Sequence, residues 1–223
     1  MGEIIKIKSD DGFELDAYLA QPEAEPKGGI LVIQEIFGVN SHIRSVADDY
    51  ANAGYAAIAP AIFDRAEPGV ELGYEEEDIM RGAGIARGKL KIPETLSDLS
   101  AAADQLKQYG KVGAVGYCFG GLLAYLSACN LNNLACAVGY YGGGITGVLD
   151  QKPGIPLMLH FGERDEHISM TDVDEIKAAN PGVPVFTYDA DHGFNCDQRA
   201  SYDEAASALA LEKTLAFFAE QLA

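Results

Sequence analysis

The stretch Gly113-Ala-Val-Gly-Tyr-Cys-Phe-Gly-Gly121 decides how the chain folds. Residues 112–115 are apolar or glycine and predict a buried parallel strand. Residues 119–130 predict a helix opened by two glycines. Between them Gly116-Tyr-Cys-Phe-Gly120 has the G-x-C-x-G form of a nucleophile elbow. Such an elbow is a sharp strand-to-helix turn that strains the backbone of its central residue and exposes that side chain at the top of a sheet. Gly116 and Gly120 are the small neighbours that let strand and helix pass closely. The following helix aims its positive end at the side chain, which favours a thiolate. A buried cysteine in a glycine-rich turn would use the same residues. A Walker-type phosphate loop would need a lysine after the glycines, and none follows.

Working outward, residues 3–8 and 13–19 alternate apolar and polar positions around Asp10-Asp11-Gly12, a hairpin signal. The apolar runs 29–34, 55–59, 135–140, 155–161 and 183–188 read as further strands, several of them continuous enough to be covered on both faces. Helical spacing is expected over 41–53 with Ser41 as its cap, over 93–109, over 171–179 and over 201–222. Residues 61–92 are the least regular part, an excursion of the kind that carries function when ordered. Strands alternating with helices predict one α/β domain over residues 1–223, with a mostly parallel central sheet and helices on both faces.

The chain has 223 residues, 48% of them hydrophobic, enough for one full core. Its formal charge of −18 argues against nucleic acid and anionic membrane surfaces as partners. No apolar run is long enough to span a bilayer, and residues 1–6 lack the apolar stretch of a signal peptide. Cys118, Cys129, Cys136 and Cys196 show no metal-ligand spacing, so no metal is expected. Reduced thiols and a cytoplasmic location are the expectation.

A nucleophile at Cys118 needs a base and an acid. In α/β-hydrolases these follow in the order nucleophile, acid, base. Asp165 and His192 have that order, each just past the predicted end of a strand, on the edge where ligands meet open parallel sheets. His160 lies inside a strand, His167 shares the Asp165 loop, and His42 precedes the nucleophile, so His192 is the expected base. Glu163, Glu166, Asp189 and Asp191 compete with Asp165, and order alone does not exclude Asp189 or Asp191. The oxyanion hole is expected from the backbone N–H of Phe119 and that of Ile36, in the loop after the 29–34 strand. A thiolate leaves readily, so an amide adduct tends to collapse back, whereas an activated ester or lactone avoids that competition. Hydrolysis of a small-molecule ester or lactone is therefore expected.

These residues are similar to those of the dienelactone hydrolase family. The chain resembles it nearly end to end, through Gln34-Glu-Ile-Phe-Gly-Val-Asn40, Gly54-Tyr-Ala-Ala57, the 113–121 stretch, Ala137-Val-Gly-Tyr-Tyr-Gly142, Asp165 and His192. The resemblance implies a cytoplasmic, cofactor-free α/β-hydrolase with a triad of Cys118, Asp165 and His192. It also implies that Glu35 accepts a hydrogen bond from the resting thiol and swings away when substrate binds. The pocket departs from the pattern. The family's carboxylate-binding arginine four residues after the histidine is Cys196 here. Its second arginine falls on Met80, with Arg81 one residue on, and pocket aromatics fall on Gly84 and Arg87.

The locally basic Arg81, Arg87, Lys89 and Lys91 are expected to border the pocket mouth, with Arg81, Arg87 and Cys196 as substrate-binding positions. With Cys196 unable to clamp a carboxylate, and Arg199 in a predicted loop, weak dependence on a substrate carboxylate is expected. A monomer is expected, with a dimer as the alternative. The rival readings are a peptidase or acyltransferase on the same elbow, a non-catalytic binding module, and a redox sensor using Cys118 and Cys196.

Overall fold

The computed structural model describes residues 2–223. Among them, eight strands form one sheet: β1 (Glu3–Lys8), β2 (Glu14–Ala20), β3 (Gly29–Ile33), β4 (Ala56–Pro60), β5 (Val112–Tyr117), β6 (Cys136–Tyr140), β7 (Leu157–Gly162) and β8 (Val185–Tyr188). Their order is β1-β2-β4-β3-β5-β6-β7-β8. β1 and β2 form the expected hairpin, Lys8 opposite Glu14, and β2 runs antiparallel to β4. The other neighbours are parallel. β3, β5, β6 and β7 are buried along their whole length, which their continuous apolar composition requires. β1 lies at an edge, with exposed Lys6 and Lys8 that discourage further strand pairing.

The helices are α1 (Ser41–Asn52), α2 (Glu76–Gly88), α3 (Ile92–Leu106), α4 (Phe119–Asn130), α5 (Met170–Ala179) and α6 (Glu204–Gln221). Side chains alternate along a strand. A Cβ placed on Gly113 would meet Phe218 of α6, and one on Gly116 would strike Gly120 of α4. α4 and α6 therefore cover opposite faces. Phe218 also meets Tyr50 of α1 and Tyr55 edge-on, at 6.0 and 6.3 Å between ring centres, so α1 shares the α6 face. α3 packs beside α4 on the other. No helix among the described residues is long and apolar enough to cross a membrane.

Three expectations are corrected in detail. α1 is capped by Asn40, whose side chain accepts from the Ile43 N–H at 3.3 Å, while Ser41 turns outward to Gln198. α6 starts at Glu204 under Asp203, whose side chain accepts from the Ala206 N–H. The irregular 61–92 segment contains α2, 13 residues long, preceded by a 3-10 turn at Ile62–Arg65. Arg65 in that turn grips Asp98 of α3 with Nε to Oδ2 at 2.6 Å and Nη2 to Oδ1 at 2.8 Å, which ties the segment's start to the core.

Candidate active site

The site collects at the C-terminal edge of the parallel strands, one short loop at a time. β5 ends directly before Cys118, which sits at φ 54°, ψ −114°, a conformation that L side chains rarely adopt. Such a residue stores on the order of 1–3 kcal/mol of strain that the surrounding fold must hold. The hold is visible. The Cys118 N–H donates to the Tyr140 carbonyl at 3.0 Å, and Gly120 lies so close to β3 that any Cβ there would collide with the Ile33 carbonyl.

β7 delivers Asp165 and β8 delivers His192. His192 Nε2 lies 3.2 Å from Cys118 Sγ, and His192 Nδ1–H donates to Asp165 Oδ2 at 2.7 Å. The other Asp165 oxygen accepts from the His167 and Ile168 N–H groups at 2.8 and 3.1 Å. Asp165 is thus fully used and cannot rotate without losing several bonds. Burial alone would push the His192 imidazole down. The hydrogen bonds to Asp165 and Cys118, with the charge of both, overcome burial and raise it to about 10. Asp189 and Asp191, the rival acids, are turned outward onto Arg164.

The rival histidines have other tasks. His160 is fully buried, with Nδ1 2.8 Å from the Tyr188 hydroxyl and Nε2 3.1 Å from Thr214 Oγ1, and burial drives it down to about 3. His167 meets the His192 ring edge-on at 5.1 Å between centres. His42 Nδ1 donates to Asp197 Oδ1 at 3.1 Å.

The N–H groups of Phe119, first residue of α4, and of Ile36 have no hydrogen-bond partner among the described residues. The Ile36 loop is fixed from above. The Leu72 N–H donates to the Phe37 carbonyl at 2.9 Å, and Gly82 of α2 rests so tightly on the Ile36 carbonyl that no Cβ fits between them.

Glu35, in the same loop, is 1% exposed. Arg199 Nη1 lies 3.5 Å from its Oε1, while its Oε2 has no partner among the described residues. Arg199 reaches there by passing over Gly193, at φ 81°, where any side chain would block it. Cys196 is fully buried, and its thiol donates to the Tyr74 oxygen at 3.3 Å. Burial, with the nearby Glu35 charge, pushes that thiol up to about 11, so it stays protonated. Arg81 pairs with Glu67, Lys89 reaches the same carboxylate at 4.0 Å, and Lys91 pairs with Glu94 at 2.8 Å. Arg87 is exposed on the last turn of α2. Neither Arg81 nor Arg87 bonds to Cys118, His192, Asp165 or Glu35.

Tyr141 belongs to this neighbourhood and was not singled out by the sequence. It has φ 36°, a buried hydroxyl without a partner among the described residues, and a ring 5.2 Å from His192. Burial, with the nearby Glu35 charge, keeps its phenol protonated far above the ordinary range. The available signal was the pair Tyr140-Tyr141 at the end of a buried strand before a glycine. A cavity of about 350 Å³ opens between α1 and α6, lined among others by His42, Asp49, Tyr50, Tyr117 and Asp197. Cys118 is not among its walls.

The dienelactone hydrolase family model matches residues 15–222. A Synechocystis protein provisionally named a carboxymethylenebutenolidase is 39% identical over 235 residues, covering 96% of this chain and 94% of the relative. The carboxymethylenebutenolidase of Pseudomonas putida is 35% identical over 227 residues, covering 97% and 96%. A crystal structure from Klebsiella pneumoniae, provisionally named a dienelactone hydrolase, superposes with a TM-score of 0.87 at 27% identity, covering 99% of this chain and 98% of the other.

Proposed function

The chain belongs to the dienelactone hydrolase family and is a hydrolase with the α/β-hydrolase fold, and we propose that it opens carboxylic esters or lactones by nucleophilic attack of Cys118. What carries this reading is the continuous hydrogen-bonded line from Cys118 Sγ through His192 to Asp165, at 3.2 and 2.7 Å. In this reading the line holds an imidazolium against a thiolate. The thiolate adds to the substrate carbonyl, and the free N–H groups of Phe119 and Ile36 receive the developing oxyanion. As the adduct collapses, the alkoxide leaves and takes the proton from His192 Nε2. The resulting thioester is hydrolysed by water, with neutral His192 as base and Cys118 thiolate expelled again. Asp165 keeps the proton of Nδ1 in place throughout.

Because Arg199 reaches Glu35, the two are proposed to govern the approach of an anionic substrate, in place of the weak carboxylate dependence expected from Cys196. Arg199 is the cation that reaches Glu35, three residues past the position where the sequence has Cys196. Arg81 and Arg87 are proposed at the rim, because Gly82 between them bears on the Ile36 loop. The buried Cys196 thiol faces Tyr74.

The test is Cys118→Ala, assayed on an activated aryl ester and on a lactone, beside wild type with and without thiol alkylation. Loss of a member of such a unit lowers kcat by several orders of magnitude. The variant should be inactive while melting like wild type. Hydrolysis at the wild-type rate would end the proposal.

A further inference from the structure

Beside the proposed nucleophile lies a second group of reactive side chains. Glu35, His42 and Cys196 each bring one ligand atom, and these atoms lie within 4.8 Å of one another. They are 1%, 3% and 0% exposed. Two of the atoms are unsatisfied: Glu35 Oε2 and His42 Nε2 have no partner among the described residues. Buried polar atoms normally find one. We propose that Glu35, His42 and Cys196 form a binding site for a divalent transition metal of the zinc class.

The arrangement has the parts such a site needs. His42 Nδ1 donates to Asp197 at 3.1 Å, so the ring's lone pair is on Nε2, the buried nitrogen left free to bind. A carboxylate behind a ligating histidine is the usual support of a metal site. One carboxylate oxygen of Glu35 is held by Arg199, and the other is left over. Thiolate, imidazole and carboxylate together select zinc, cobalt or a similar borderline ion over magnesium or calcium, which take oxygen ligands. Three protein ligands leave a fourth position open. Ligand atoms around a tetrahedral zinc stand about 3.4–3.8 Å apart at bonds of about 2.0–2.3 Å. Atoms now up to 4.8 Å apart therefore need to close by roughly 1.0–1.4 Å at most. The cavity between α1 and α6, which His42 and Asp197 both line, brings solvent to the His42 side of the site. On binding, the metal–sulfur bond forms as the Cys196 S–H bond breaks, and the proton passes to solvent. Tyr74 loses the thiol as a donor but keeps Asn40 Nδ2 at 3.1 Å.

The inference does not depend on Cys118 being the nucleophile, and the experiment removes that residue because its own thiol would bind metal. Untagged, reduced Cys118→Ala protein is titrated with Co²⁺ at neutral pH, and the near-ultraviolet thiolate-to-cobalt absorption is recorded. One equivalent of Co²⁺ should raise that band, and Cys196→Ser in the same background should abolish it. Asp197 is 60% exposed, so Asp197→Asn does not endanger the fold, and it should weaken Co²⁺ binding about 10–100-fold. Absence of the band in Cys118→Ala, its persistence after Cys196→Ser, or unchanged affinity in Asp197→Asn would each overturn the site. Should the Cys196→Ser protein fail to fold, the Asp197→Asn affinity alone decides.

Discussion

The residue on which the proposed chemistry turns is His192, held between a thiol and a carboxylate, 3.2 and 2.7 Å away. Against burial, which lowers it, Asp165 and Cys118 together raise His192 to about 10 in the resting site, and the Asp165 share remains to hold the imidazolium once Cys118 is bonded to substrate. Asp165→Asn removes the charge and favours the wrong tautomer. It should lower kcat by up to about 10⁴-fold and move the basic limb of kcat/KM to lower pH. An unmoved limb would mean that Asp165 does not set the histidine. Arg199→Gln is expected to act differently, raising KM for a carboxylate-bearing lactone while sparing a neutral one. A charge-assisted hydrogen bond is worth about 1.5–3 kcal/mol, so the ratio of the two kcat/KM values should change about 10–150-fold. The sequence led to Cys118, Asp165, His192 and the Ile36 loop because each follows a strand end at a recognisable motif. It offered Arg199 only as a loop residue that could stand in for Cys196, and it did not lead to Tyr141. Arg199 acts through a side chain that crosses an irregular turn, and Tyr141 through a strained φ of 36°. Neither property has a periodicity or a motif to betray it.

Among the elements, α2 is the one whose placement matters most for the proposed site. Gly82 and Gly84 lie two positions apart on it and test that placement. Gly82 touches the Ile36 carbonyl so closely that Gly82→Ala must move either the helix or the loop that offers the Ile36 N–H. Displacements of about 1 Å can lower rates about 10²-fold, so kcat should fall 10–100-fold with modest loss of stability. Gly84 has nothing within 4 Å of a new Cβ, and Gly84→Ala should stabilise by roughly 0.4–1 kcal/mol with kcat unchanged. Denaturant melts and initial rates on both variants separate the two effects, and equal kcat values would refute the positioning role of α2. The strands and the other helices were legible in advance because their burial follows the apolar runs of the sequence. α4 starts and ends where its glycines and Asn130 indicate. α2 was not, since its sequence is mixed in charge and carries three glycines, and its buried face is only Gly82, Ile85 and Ala86. Packing of a glycine against a carbonyl, and not an apolar stripe, seats it on the sheet edge.

At the scale of the whole molecule, His160 joins β7 to β8 and α6 through Tyr188 and Thr214, and the Tyr140 hydroxyl meets Thr214 from β6 at 2.7 Å. Its imidazole stays neutral in the fold down to about 3, whereas the unfolded chain takes up a proton near the ordinary value of 6.5. Stability from this group is therefore complete above pH 6.5 and is lost as pH falls towards 3, at no more than about 1.4 kcal/mol per pH unit for one proton. Urea melts of wild type and His160→Asn across that range should show a flatter decline in the variant, although it starts less stable. Parallel slopes would show that the buried histidine does not couple to acid unfolding. The assembly of the proposed site from distant loops has one more consequence, for the life of the polypeptide before it is finished. Cys118 and His192 are 74 residues apart, and the histidine follows β8, near the end of the sheet. While a ribosome is still extending the chain, Cys118 has neither its imidazole partner nor the strained turn that aims it. A half-made, truncated or misfolded copy lacks that arrangement, so the proposed nucleophile is assembled only in molecules that have passed the test of folding.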